Sequence, residues 1–135
     1  MESIKVEAVV DNLASVTEFI DSRLEAAECP VKAQMQIDIS IEEIFVNIAN
    51  YAYTPGTGDA EVGLELLSDP RAVRIVFIDS GVPYDPLAKP DPDVTLSAQE
   101  RAIGGLGIFM VKKYMDSMAY EYTDGKNILT LEKHF

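Results

Sequence analysis

Residues 41–50 read Ile41-Glu-Glu-Ile-Phe-Val-Asn47-Ile-Ala-Asn50, inside a stretch from about Val31 to Tyr53 with helical periodicity, stopped by Thr54-Pro55-Gly56. At about 100° per residue, Ile37, Ile41, Ile44, Phe45, Ile48 and Ala52 form one apolar stripe. Glu43, Asn47 and Asn50, spaced i, i+4, i+7, line up on the opposite side. A polar row of this kind is ordinarily the solvated face of an amphipathic helix. Two details point elsewhere. Ile39 and Val46 share or border the polar side, and asparagine is a mediocre helix former in mid-helix. A carboxylate one turn from an amide oxygen suits a general base beside a hard-cation ligand, because Mg²⁺ prefers oxygen donors.

Working outward, residues 3–10 alternate Ile4, Val6, Ala8 and Val10 with more polar neighbours, as a half-buried strand does. Asp11 or Asn12 stands where a cap belongs, before a helix whose stripe is Leu13, Val16, Phe19, Ile20, Leu24 and Ala27. Cys29-Pro30 ends that helix. After the long helix, strands are expected at about 60–67 and 71–78, joined by Ser68-Asp69-Pro70. From about Gly81 to Ile103 the chain holds Pro83, Pro86, Pro90 and Pro92, which reads as loop with a short helix near 96–101. A loop of that length in a compact domain is more often a lid or binding loop than filler. A helix is expected after Gly104-Gly105-Leu106-Gly107, running to about Ser117. Residues 120–133 close the chain as a hairpin around Asp124-Gly125, a pair suited to a type I′ turn. The order β-α-α-β-β-loop-α-β-β predicts an α+β two-layer sandwich, three helices on one face of a mostly antiparallel sheet, as one domain over residues 1–135.

Composition removes several classes of function. The chain has 135 residues, 47% hydrophobic and 25% charged, enough to build a core and too apolar for disorder. Eleven Lys and Arg against 23 Asp and Glu give a net charge of −12, a poor match for nucleic acid or an anionic membrane. No apolar run approaches the roughly 18 residues of a membrane span, and the first residues have no signal-peptide pattern, so the expected setting is the cytoplasm. One cysteine, Cys29, and one histidine, His134, leave no internal disulfide, no His-rich zinc site and little room for Ser-His-Asp chemistry. An enzyme built on this chain works with carboxylates, amides, hydroxyls, backbone groups and a bound cation.

Two further stretches could carry such chemistry. The apolar run Val73–Ile78 delivers Asp79 at its end, followed by Ser80 and Gly81, where the chain can bend. A carboxylate there could accept a hydrogen bond from a ligand's exocyclic amine. The commoner alternative is an Asp-Ser-Gly turn whose Asp bonds its own backbone. Gly104-Gly105-Leu106-Gly107 opens a helix, and exposed N–H groups at a helix start favour anions. A plain hinge would read the same way. The run does not match Gly-x-Gly-x-x-Gly, since Met110 takes the third position counted from Gly105.

Taken in order and at their separations, Glu43-x-x-x-Asn47, Asp79-x-Gly81 and Gly104-Gly-x-Gly107 resemble the N box and the two glycine boxes of the GHKL (Bergerat-fold) ATPase superfamily. Within it the chain is similar to the small anti-sigma-factor serine/threonine kinases over essentially its whole length. The resemblance implies a protein kinase that uses ATP and Mg²⁺, phosphorylates a small anti-anti-sigma (STAS-like) partner, sequesters a sigma factor or other regulator, and works as a homodimer. It implies Glu43 as general base, Asn47 as the Mg²⁺ ligand, and Asp79 with Gly81 at the adenine. Gly104, Gly105, Leu106 and Gly107 would hold phosphate below a lid at about 84–103, with Asn50 near the phosphates, where many relatives carry histidine. Pro83 stands at the second glycine of the superfamily's Asp-x-Gly-x-Gly. A different outcome of the same pocket is a non-catalytic, ATP-gated binding switch; retention of Glu43 argues for the kinase.

Overall fold

A computed structural model describes residues 1–88 and 105–135. Five strands run β1 (Glu2–Glu7), β2 (Asp59–Leu67), β3 (Ala72–Asp79), β4 (Ser117–Thr123) and β5 (Lys126–His134). They form one sheet in the order β1-β2-β3-β5-β4, with every neighbouring pair antiparallel. Three helices, α1 (Leu13–Ala26), α2 (Val31–Asn47) and α3 (Gly105–Tyr114), supply the second layer, and the expected α+β sandwich is what forms.

Period-two alternation decides which sheet face meets the helices. Ala60, Val62 and Leu64 of β2 are buried, whereas Glu61 and Glu65 lie on the other face. Pairing carries this across the sheet in rows: Leu64, Ile75 and Leu131 form one, and Val62, Phe77 and Leu129 the next. Onto these rows α1 lays Val16, Ile20 and Leu24, α2 lays Ile37, Ile41, Ile44 and Phe45, and α3 lays Ile108 and Val111. Burying each such side chain stabilises the fold by about 1.5–3 kcal/mol before entropy is counted. The following row breaks the pattern. Ala60, Asp79 and Asn127 occupy it, so the apolar face ends in a carboxylate and an amide lying directly opposite each other.

Several boundaries move for identifiable reasons. The first strand ends at Glu7 rather than residue 10, because Ala8 N–H donates to Gly58 O and residues Val10–Asn12 form a 3-10 turn. Asn12 takes the cap position of α1 but makes no cap bond; its Nδ2 donates to Glu7 O at 2.8 Å. The long helix is α-helical only to Asn47, and residues Ile48–Ala52 widen into a π turn. At its end the Ala52 carbonyl accepts Val82 N–H at 3.0 Å, a bond to the loop after β3. The last helix stops at Tyr114 rather than Ser117, since Asp116 N–H donates to Glu132 O and draws the chain into the sheet. Asp124 and Gly125 both have positive φ, 53° and 76°, as a type I′ turn requires. The short helix expected near 96–101, and the lid from residue 89 onward, lie outside the described residues.

Candidate functional site

The polar end of the buried face opens into a cavity of about 520 Å³, within the usual size range of a small-molecule site. Its walls are apolar: Ile44 and Ile48 from α2 and the π turn, Phe77 and Leu129 from the sheet, and Ile108 from α3. Asp79, Asn127 and Tyr120 supply polar groups on the sheet side, and Asn47 supplies an amide from α2. Tyr51, Val82, Pro83, Tyr84 and Pro86 complete the rim. An apolar cavity with a few convergent polar groups suits an apolar-faced ring that carries a hydrogen-bond donor.

Asp79 is 6% exposed. Its Oδ1 accepts two bonds, from Gly81 N–H at 2.9 Å and from Asn127 Nδ2 at 3.0 Å. The Asp-Ser-Gly turn is therefore formed, and it engages Oδ1 alone. Oδ1 makes the backbone turn, and Oδ2 accepts no hydrogen bond from the described residues while Asp79 lines the cavity. Gly81 is needed here for space: a Cβ at this position would lie 2.2 Å from Ala52 O. The residue after the π turn is tied to the same place, since Ser80 N–H donates to Tyr53 Oη at 2.7 Å and Tyr53 Oη donates to Asp59 O at 2.6 Å.

Asn47 faces the cavity, and Glu43 lies one turn earlier on α2. Glu43 is not part of the cavity wall; it lies against α3, where a Cβ on Gly107 would come within 2.1 Å of Glu43 Oε2. A glycine at 107 is what lets this carboxylate reach the first turns of α3. Gly105 begins that helix, with Leu106 next, whereas Gly104 lies outside the described residues. Asn50 is exposed in the π turn and does not line the cavity; its carbonyl accepts the Thr54 hydroxyl.

Sequence reasoning passed over two polar residues of the site, Asn127 and Tyr120. Asn127 could have been found, because positions 127, 129 and 131 alternate inward and only the first is polar. Tyr120 donates its hydroxyl to Asn127 Oδ1. Burial pushes the Tyr120 phenol up from its ordinary value, against a lowering by Tyr84 N–H, with Asp85, Asp79 and Tyr122 adding to the rise. It is therefore a hydroxyl donor at neutral pH.

A second, wider groove lies between α1 and α2, lined by Glu18, Asp21, Glu25, Asp38 and Glu42 beside Met35 and Ile39. Asp38 meets Asp21 across it. Burial, then the Asp21 hydrogen bond and the charges of Asp21 and Glu25, push the Asp38 carboxyl up to about 8. Among the described residues no three His, Cys, Asp or Glu converge to hold a metal ion, and no helix is long and apolar enough to cross a membrane.

Residues 6–133 match the model of a histidine kinase-like ATPase domain. The chain is 30% identical over 103 residues to the serine/threonine-protein kinase BtrW of Bordetella bronchiseptica, a match spanning 76% of this chain and 72% of that protein. It is 26% identical over 97 residues to the serine-protein kinase RsbW of Listeria monocytogenes, covering 69% of this chain and 61% of that one. Among solved structures, a chain of the SiaB-SiaC complex from Pseudomonas aeruginosa superposes with a TM-score of 0.60 at 16% identity, over 100% of this chain and 90% of that one. This last similarity speaks for the fold alone.

Proposed function

This chain belongs to the histidine kinase-like ATPase family, and we propose that it is an ATP- and Mg²⁺-dependent protein serine/threonine kinase of the anti-sigma type. Its substrate is a small anti-anti-sigma (STAS-like) protein, and it holds a sigma factor or comparable regulator when that antagonist is phosphorylated. The observation that carries the reading is Asp79 at the end of an apolar cavity, with Oδ2 open to an exocyclic amine and Asn47 on the facing wall. The kinase names of BtrW and RsbW support phosphoryl transfer over simple gating.

Each residue has a physical task in this reading. Asp79 Oδ2 accepts from the adenine amine, and Gly81 keeps the loop after β3 close enough to the π turn to form the cavity. Asn47 would hold the cation through its side-chain oxygen. Bound there, the cation would supply neutralisation of phosphate charge for the transfer. The start of α3 at Gly105, Leu106 and Gly107, with Gly104 before it, presents backbone N–H groups to the phosphates. Glu43, next to both Asn47 and α3, takes the proton from the partner's hydroxyl as that oxygen attacks the γ-phosphorus and ADP departs. Asn50 is the weakest of the proposed nucleotide contacts, because it is exposed and does not line the cavity. The protein acts as a homodimer in the cytoplasm, as one domain with its lid at about 84–103.

Titration calorimetry of the chain with ATP, with and without Mg²⁺, tests the pocket, and Asp79→Asn is the control. Saturable binding that Mg²⁺ strengthens and the substitution abolishes is the expected result. A folded wild type that binds no nucleotide overturns the reading. Binding without transfer of the γ-phosphate to a STAS-like protein would leave an ATP-gated switch in its place.

A further inference from the structure

Asn127 stands opposite Asp79 in the β3–β5 pairing and is 7% exposed, so its amide has to find partners inside the protein. It uses both ends fully. Nδ2 donates to Asp79 Oδ1 at 3.0 Å and to Val82 O at 2.9 Å, with Gly81 O at 3.4 Å nearby. Oδ1 accepts Tyr84 N–H at 3.1 Å and the Tyr120 hydroxyl. Only one orientation of the amide satisfies this set, since the reverse would aim an oxygen at three oxygens. The Tyr84 N–H also reaches Tyr120 Oη, at 3.3 Å, which closes the network into a ring.

We propose that Asn127 is the positioning residue of the nucleotide pocket: it pins Asp79 by Oδ1, so that Oδ2 alone is presented to the ligand's amine, and it clamps Val82 and Tyr84 to the same anchor. The inference rests on the adenine-nucleotide reading above. Its chemistry calls for a carboxamide. Two donors are needed, for Asp79 and Val82 O, together with an acceptor shared by Tyr84 and Tyr120. A hydroxyl carries only one hydrogen and cannot serve both oxygens. Without Asn127, Asp79 Oδ1 keeps only the Gly81 N–H, and the carboxylate is free to rotate about χ2, a broad and soft torsion. The segment 82–84, which leads into the stretch expected to form the lid, would lose its tie to the sheet at the same time. Asp79 and the entry to that stretch are thus held by one side chain.

The test is calorimetry of the full chain with Mg²⁺ and two ligands: ATP, and purine riboside 5′-triphosphate, which lacks the 6-amino group. Wild type should prefer ATP. Asn127→Ala should weaken ATP at least about tenfold, and should weaken the purine analogue by a clearly smaller factor, since that ligand loses only the tie of residues 82–84 and not an oriented Asp79. Equal losses on both ligands, or no loss on either, overturn the proposal. So does a wild type that binds the two ligands equally, a result that would leave nucleotide binding standing. A wild type that binds neither fails the underlying reading and takes this inference with it. The isosteric Asn127→Asp guards against simple misfolding. It sets an acceptor where Asp79 Oδ1 needs a donor, so a folded Asn127→Asp with a thermal midpoint near that of wild type should show the same selective loss of ATP. A folded Asn127→Asp that keeps the wild-type preference for ATP overturns the positioning role.

Discussion

Asp79 at the end of β3 and Asp38 in the middle of α2 are both drawn partly or wholly out of water, but into different company. Asp79 meets two N–H donors on one oxygen and leaves the other open toward an apolar cavity. Asp38 meets a second carboxyl, Asp21, with Glu25 close by, and is pushed up to about 8. The groove around Asp38 is the more acidic of the two, yet its charges oppose one another. What separates the two carboxylates is the set of donors fixed around Asp79, because these orient the lone pair that stays open to the cavity.

That contrast can be broken by substitution. The largest effect is expected at Glu43, which the fold places beside Gly107 and one turn from Asn47. Glu43→Gln should lower phosphate transfer to a STAS-like substrate by about 10²–10⁴-fold while ATP affinity changes less than about threefold. Equal transfer by wild type and variant would remove Glu43 from the chemistry. Next comes Gly81→Ala. The added methyl would sit 2.2 Å from the Ala52 carbonyl oxygen, so the loop after β3 and the π turn must separate. A loss of about 1–3 kcal/mol is expected, seen as a lower thermal midpoint together with weaker nucleotide binding. An unchanged midpoint would show that the cavity is not held open by that close approach.

Smaller still, Asn47→Ala should remove roughly tenfold of the Mg²⁺-dependent gain in ATP affinity and leave metal-free binding nearly intact. A loss of similar size without Mg²⁺ would make Asn47 a wall residue only. The smallest effect belongs to the other region. Asp38 binds a proton in the folded chain that the unfolded chain releases above 3.8, so stability declines as pH rises from about 4 toward about 8. Asp38→Asn should therefore raise the thermal midpoint at pH 8 by roughly 3–5 °C, after allowance for partial exposure, and by nearly nothing at pH 4. It should not alter ATP affinity. A change in nucleotide binding would contradict the distinction between the two carboxylates.

Much of this was legible in the linear chain. The stripe Ile37, Ile41, Ile44 and Phe45 marked the buried face of α2, and the alternation from Ile4 to Ala8 marked the first strand. Asp124-Gly125 marked its turn by type. Each of these depends on neighbours within a few residues, where periodicity and backbone preference act directly. The candidate residues Glu43, Asn47, Asp79 and Gly81 were also readable, as chemistry at a recurring spacing. Helix ends were less so. The π turn at Ile48–Ala52 and the early stop of α3 at Tyr114 depend on hydrogen bonds to Val82 and Glu132, which lie far along the chain.

The sequence by itself determined which elements form, which of their faces are apolar, and which family of sites the ordered motifs resemble. Only the tertiary structure decided that Asn127 lies opposite Asp79, 48 residues away, and that Gly107 receives the Glu43 carboxylate. It alone left Asn50 exposed outside the cavity. The reason is physical. Strand register and helix packing are set by the whole core settling at once, so a side chain's partner across the sheet follows from burial of every row beside it, and no local pattern carries that information.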